Sequence, residues 1–290
     1  MGLRLKFNLV LAAVFLLGLA VTGYVSYDLL HRNAREEVLR NAGVMMEAAL
    51  SMRSYTVDKV RPALRVSEEE FLPQSVPAYS ATQVMSLLRK KYPDFAYKEA
   101  ALNPTNPSDR AVEWETDIVN AFRGNESLKE SSGTRMTPGG VSLYLARPFQ
   151  IKDPACLVCH SVPANAPPSM IKIYGPGNGF GWKLNEVIGA QIVSVPMALP
   201  IANANRAFYT FMASLTGVFI VLFIILNVML SMLIVQPMRR MSAAADRISV
   251  GQMDTPELAE TGKDEVALLA KSFNRMRRSL EKAISLIDEK

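Results

Sequence analysis

Two stretches of this 290-residue sequence run without a charge for longer than a bilayer's hydrocarbon core is thick, and they constrain everything between and after them. No charge lies between Lys6 and Asp28, where Leu9 to Val25 is almost wholly Leu, Val, Ala, Phe and Gly. None lies between Arg206 and Arg239, where Phe208 to Val235 is rich in Phe, Ile, Leu and Val, with Asn227 as its most polar member. A helix crosses a membrane with about 20 apolar residues, so both qualify. A cleaved signal peptide competes for the first, since Arg4 and Lys6 resemble its basic start. The apolar run is too long for that, and Gly18-Leu19-Ala20 is a poor cleavage site. Two spans put both chain ends on one side and residues 29–206 on the other. The positive-inside rule does not say which. Arg4, Lys6, Arg239, Arg240 and Arg247 flank one side, whereas Arg32, Arg35, Arg40 and Arg206 flank the other.

Chemistry supplies the orientation. Both cysteines of the chain lie in Cys156-Leu157-Val158-Cys159-His160. Cys-x-x-Cys-His is the attachment signature of c-type haem. Each thiol adds to one porphyrin vinyl, and the neighbouring imidazole becomes an axial ligand. Three other readings compete. A thioredoxin-like pair wants a βαβ context, yet Pro154 precedes the motif and Ser161 to Pro168 reads as a loop. A zinc site needs four ligands, and the only other His is His31, at the mouth of the first span. A disulfide between residues three apart is uncommon. Haem c, one per chain and covalent, is therefore the expected cofactor, bound by Cys156, Cys159 and His160, with His160 on the iron. Covalent attachment takes place outside the bacterial cytoplasm. The expected layout is a cytoplasmic N-terminus (1–7), a first membrane helix (8–28), a periplasmic domain (29–206), a second membrane helix (207–235) and a cytoplasmic tail (236–290), in a two-pass protein of the bacterial inner membrane.

The sixth ligand must be a Met, a Lys, a Tyr, water or nothing. Met45, Met46 and Met52 lie on one helical stretch, and each is more often core packing than ligand. Met52 is the first candidate among them.

Between the spans, the first helix is expected to continue through Val38, Met45, Ala49 and Met52 at near-helical spacing, with Pro62 near its end. Gln83 to Lys90 and Ala111 to Phe122 read as helices, the latter stopped by Gly124. Asn103 to Ser108 is a loop. Val141 to Arg147 and Gly189 to Val195 alternate like strands. The expected class is α+β, a helix feeding a small antiparallel sheet. Met52-Arg53-Ser54-Tyr55, Val60-Arg61-Pro62, Tyr144…Arg147-Pro148, the haem pentapeptide, Gly179-Phe180-Gly181-Trp182 and Gly189-Ala190 together resemble the c-type-haem PAS-like domain of bacterial membrane sensors, a family long catalogued only as a domain of unknown function. The resemblance covers most of residues 30–200. It implies a PAS-like sheet holding one haem and a sensory role, with Arg147 as a plausible partner for a haem propionate.

After the second span, Met241, Ala245 and Ile248 step by four and three along a helix that Gly251, Met253 and Pro256 break. A second helix begins at Asp264-Glu265 and carries Val266, Leu269, Phe273, Met276, Leu280, Ala283 and Ile287, at steps of three and four without a miss. That is a coiled-coil seam, and one helix cannot bury it alone. The arrangement resembles a HAMP linker. Pro237, Gly251, Asp264-Glu265 and Phe273-Asn274-Arg275-Met276 stand at that family's characteristic positions, while Ala267 replaces its usual Gly. The resemblance implies a parallel four-helix bundle of two chains, hence a homodimer, with Pro237, Gly251, Glu265, Leu269, Phe273, Met276 and Leu280 relaying the signal. A basic helix lying on the membrane explains Arg275, Arg277 and Arg278 but not the heptads.

The tail holds ten Lys/Arg and nine Asp/Glu, so no single-sign field invites nucleic acid. The seam still runs at Ile287, so no kinase, cyclase or methyl-accepting domain is expected after it, and output is expected to pass to a separate cytoplasmic partner. No catalytic triad, metal-ligand cluster or phosphate loop appears, so an enzyme is not expected. The expected function is a membrane sensor whose haem meets a small gas or a redox change. A membrane-anchored electron-transfer cytochrome is the alternative, though it gives the heptads no purpose.

Overall fold

The computed structural model describes residues 2–64, 71–252, 254–259 and 262–288. The chain divides into two compact units, residues 27–207 and residues 1–26 with 208–290.

The unit of residues 27–207 is built on one four-stranded antiparallel sheet of order β1-β4-β3-β2. Its strands are β1 (Ala96–Ala101), β2 (Ser131–Thr137), β3 (Gly140–Gln150) and β4 (Val187–Pro196). The fold is α+β, as the alternating segments imply. β3 and β4 pair with Leu145 opposite Val193 and Tyr144 opposite Ser194. Side chains alternate between the two faces of a strand, and here both faces are covered. The helix α1 (Leu3–Tyr55) lays Val38, Ala42 and Met46 on Leu143, Leu145, Val193 and Val195. On the other face α4 (Glu113–Gly124) sets Ile118, Val119 and Phe122 against Ala100, Ala146, Ala190 and Ile192. A strand buried on both sides needs a near-continuous apolar run, which β4 supplies. Gly189 is required where β4 meets β1, because a Cβ there would overlap the Ala100 carbonyl.

Past Tyr55 the first helix widens into a π-helical turn, Thr56–Val60, before α2 (Arg61–Ala63). Pro62 has no N–H to donate back into the preceding turn, which is the local cause of such a distortion. α3 (Pro77–Lys91) packs beside α1 through Ala49, Ala81 and Met85. Two short helices follow β3, α5 (Ala155–His160) and α6 (Pro168–Tyr174).

In the other unit, the start of α1 and α7 (Ala198–Leu230) are both long and apolar enough to cross a membrane, and Phe15 stacks on Phe219 with centroids 4.8 Å apart. A second π-helical turn, Ser231–Val235, again stands just before a proline, Pro237, at the start of α8 (Gln236–Ser249). Gly251 follows with φ +85°, a conformation that favours glycine. Asp264 Oδ1 accepts the Ala267 N–H at 2.8 Å and caps α9 (Glu265–Asp288). α8 offers Met241, Ala244 and Ile248, with Ala244 in the place expected of Ala245, and α9 offers Ala267, Ala270 and Asn274. Asn274 clamps the connector, donating to the Leu258 carbonyl at 2.8 Å and accepting its N–H at 3.0 Å. The heptad residues Leu269, Met276 and Leu280 stay exposed within one chain. Met253, expected to help break α8, lies outside the described residues.

Replacing Phe122, 1% exposed, by Ala removes the largest fully buried side chain from the α4 face of the sheet. It should cost roughly 3–5 kcal/mol, read by urea unfolding in detergent, whereas Met136→Ala at an exposed position should leave the midpoint unchanged.

Candidate functional site

A cavity of about 510 Å³ opens beside the sheet, within the usual range for cofactor sites. Its walls come from the end of α1 and the π turn (Arg53, Val57, Asp58), α2 (Arg61), the start of α3 (Pro77, Tyr79), β1 (Glu99), the loop after β1 (Pro104, Thr105, Asp109), the end of β3 and α5. Cys156, Cys159 and His160 all line it.

The pentapeptide forms most of α5. Asp153 Oδ1 accepts the Ala155 N–H at 2.9 Å and Pro154 starts the turn. The flanks read as loop in the sequence, and the motif itself is helical. Spacing of three residues then puts both thiols on one side of a single turn. The thiols are free of each other, and burial pushes both above their ordinary value, with Asp153 adding to the effect at Cys156 and Arg61 opposing it at both. A redox-active pair shows the reverse, a stabilised thiolate.

His160 is fixed on three sides. Its Nδ1–H donates to the Gly179 carbonyl at 2.7 Å, with Thr105 Oγ1 3.4 Å away. Trp182 stacks on the imidazole, centroids 4.0 Å apart and planes 17° apart. Burial holds its pKa below the ordinary histidine value, against the Gly179 hydrogen bond. A neutral ring whose Nδ1–H is committed presents its Nε2 lone pair, the state a metal ligand needs.

The Gly179 carbonyl reaches that position through a specific chain path. Gly179 adopts φ +79°, and a Cβ there would overlap Thr105, 2.7 Å from its Cα. Asn103 pins the turn, accepting the Gly179 N–H and donating to the Phe180 carbonyl, both at 3.2 Å. Gly181 N–H bonds the Ser161 carbonyl at 2.9 Å, so the glycine-rich turn is sewn to the end of α5.

A second polar cluster sits on the wall of β1. Arg53 Nη1 donates to both Glu99 carboxylate oxygens, at 2.6 and 2.5 Å, and its guanidinium lies 4.7 Å from the centroid of the Phe149 ring. Tyr97 adds an O–H donor to Glu99 at 2.8 Å. Glu99 is only 4% exposed, so the pair is held by several simultaneous contacts. Asp109, on the same cavity, is pushed up to about 6 by burial and then by the Glu99 charge, against Lys98 and Ser108.

Cys156, Cys159 and His160 are thus brought together. Met52 and Arg147 are not among the residues that line the cavity. Met52 packs with Ala49, Ala81 and Met85, and Met45 and Met46 also lie in packed clusters. Met170 of α6 is the methionine of the cavity wall. Arg147 is held by Glu47 at 2.6 Å and Glu130 at 3.0 Å. The cavity's guanidinium groups are Arg53 and Arg61. Arg53, Gly179 and Trp182 stood in the sequence only as marks of resemblance, and the structure gathers them around one pocket. Asn103 and Glu99 carried no signal. Pro237, Gly251 and Glu265 stand at the helix boundaries of the tail, and Leu269, Phe273, Met276 and Leu280 run along α9.

The donor set fits haem: two thiols one helical turn apart, an oriented imidazole, and walls of Phe, Pro, Val and Tyr side chains with a few charges. Residues 31–196 match the Tll0287-like family and residues 229–282 match the HAMP domain, which implies dimeric membrane signalling to a downstream partner. No curated protein matches the sequence. Among solved structures, the crystal structure of the cyanobacterial heme-protein Tll0287 aligns over 55% of this chain and 95% of its own, at 18% identity and a TM-score of 0.43. The family match alone takes in more than half of the chain, which therefore belongs to the Tll0287-like family and joins that domain to a HAMP domain.

Proposed function

We propose that this protein is a two-pass sensor of the bacterial inner membrane that holds one covalent haem c in a periplasmic domain and passes a gas or redox signal to its HAMP bundle. The observation that carries the reading is the meeting, on one cavity wall, of two thiols a helical turn apart and an imidazole whose Nδ1–H is committed to Gly179.

Cys156 and Cys159 would hold the porphyrin through thioethers and His160 would bind iron through Nε2. Haem supplies an iron that exchanges one electron or takes a small gas at an open position. The protein's own contribution is orientation. Gly179 fixes the tautomer of His160, Trp182 fixes its plane, and the apolar walls keep water from the ring. Arg53, Val57 and Arg61 put the cavity's state in contact with the end of α1 and its continuation. A change at the cavity biases helix packing only if the two packings bind the two states differently, and bundles of this kind switch on shifts of an ångström or two. Residues 29–206 are periplasmic in this reading and residues 236–290 cytoplasmic, where the exposed seam of α9 pairs with a second copy and signals to a separate partner. The reading includes no catalytic step.

Three outcomes are expected. Protein made in a host that matures c-type haem should show a haem absorption spectrum that changes with dithionite and then with CO, and Cys156→Ala with Cys159→Ala should abolish it. Gly179→Ala should leave the haem bound but change the spectrum of its ligated iron, because His160 loses its Nδ1 partner. Disulfide cross-linking of Leu280→Cys should differ in rate between the oxidised and reduced states. Equal rates in all states would favour the electron-transfer cytochrome.

A further inference from the structure

The unit of residues 27–207 has a second hollow, a groove of about 430 Å³ to which α5 contributes nothing. One wall is a face of α1, where Leu30, Asn33, Glu37 and Asn41 recur at steps of three and four. The opposite wall is the start of α7, with Asn203 and Ala207 one turn apart. Two properties point to an occupant. The first is position. Both walls run on as unbroken helix into the apolar spans: Leu30 stands two residues beyond Asp28, and Ala207 directly precedes Phe208. That end of the groove therefore opens where hydrocarbon gives way to headgroups, a zone of about 5–7 Å. The second is the order of its polar groups. Counting away from the spans, Leu30 and Ala207 come first, the carboxamides of Asn33 and Asn203 next, and Glu37 after them. Glu37 is the one charged side chain of the lining among the described residues, where it forms no ion pair and the two carboxamides have no partner. Arg32 is paired with Asp28, and Arg35 and Arg40 lie outside the lining. A helical side chain leans toward its helix N-terminus. On α1 that is the membrane end, so the Glu37 carboxylate reaches back toward the headgroup zone.

We infer that this groove holds the headgroup of one phospholipid that carries a primary ammonium. The ammonium meets the Glu37 carboxylate, the phosphate accepts from the Asn33 and Asn203 amides, and the acyl chains leave past Leu30 and Ala207 along the spans. The charges agree in order as well as in sign. In such a lipid the cation is the group farther from the acyl chains, and Glu37 is the wall group farther from the spans. An anionic headgroup would bring no cation to Glu37 and would be disfavoured. A second copy of this chain, the other candidate cover, would bury the carboxylate and carboxamides with no new charge to pair them, which is costly. A lipid seated here ties the root of α1 to the root of α7, the two helices that leave the domain. The inference rests on the membrane spans of the function proposed above and needs no haem.

The test is native mass spectrometry of the full chain released from nanodiscs of phosphatidylethanolamine and phosphatidylglycerol in equal parts, with the same acyl chains. One ethanolamine lipid per chain should be retained, roughly tenfold over the glycerol lipid, the worth of one charge-assisted hydrogen bond. Glu37→Gln should bring the two lipids near parity and Glu37→Lys should invert the preference. Glu37 is exposed, so neither change removes packing. Asn203→Trp, also at an exposed position, should fill the groove and release the lipid. Equal retention by the unaltered chain, a preference undiminished in Glu37→Gln, or a lipid kept by Asn203→Trp overturns the inference. So does a disulfide between two copies of Asn33→Cys that forms as lipid is lost, which assigns the groove to a second chain. Extraction separates the two readings. A chain washed from membranes by alkaline carbonate overturns the spans and the inference together, whereas a carbonate-resistant chain without lipid preference overturns the inference alone.

Discussion

The Nδ1–H···O=C hydrogen bond from His160 to Gly179, 2.7 Å long, is the contact on which the site depends. It chooses the tautomer, aims the ring and leaves the other nitrogen for a metal. It exists only because residue 179 lacks a Cβ, since any side chain there would run into Thr105, and because Asn103 holds the turn from both directions. Three segments distant in sequence, the loop after β1, α5 and the glycine-rich turn, are thereby tied to one imidazole.

The second constraint is that α1 serves several purposes along one continuous helix. Between Lys6 and Asp28 it carries no charge, its middle lays Val38, Ala42 and Met46 on the sheet, and Arg53 in its last turn reaches the cavity and the buried Glu99. The π-helical turn that follows is where the regular ladder gives way, and Val57 and Asp58 in it face the cavity. Such turns recur at functional positions. In the tail α9 carries two stripes: Ala267, Ala270 and Asn274 are buried within the chain, while Leu269, Met276 and Leu280 stay exposed.

Much of this was legible in the residues. Charge-free length, cysteine spacing and heptads are local signals, and each names an element without needing the fold. β3 and β4 showed through their alternation. β1 and β2 did not. Ala96–Ala101 contains Lys98 and Glu99, whose charges are satisfied by Glu115 and Arg53 far off in sequence, and Ser131–Thr137 is a polar edge strand pairing only with β3. Met52 does not line the cavity, for a geometric reason. Neighbouring helical residues point about 100° apart, so a pattern that locates the helix does not say whether Met52 or Arg53 faces the pocket. Arg147 pairs with Glu47, a hundred positions away, and no spacing rule reveals that.

The proposed function turns on a covalent bond from the porphyrin to Cys156 and Cys159. Denaturing mass spectrometry of the purified chain tests it most directly. The account requires an intact mass increased by one haem, with the addition retained on the proteolytic fragment that contains Cys156 to His160. A chain whose mass is that of the polypeptide alone, or whose haem leaves on denaturation, would contradict it.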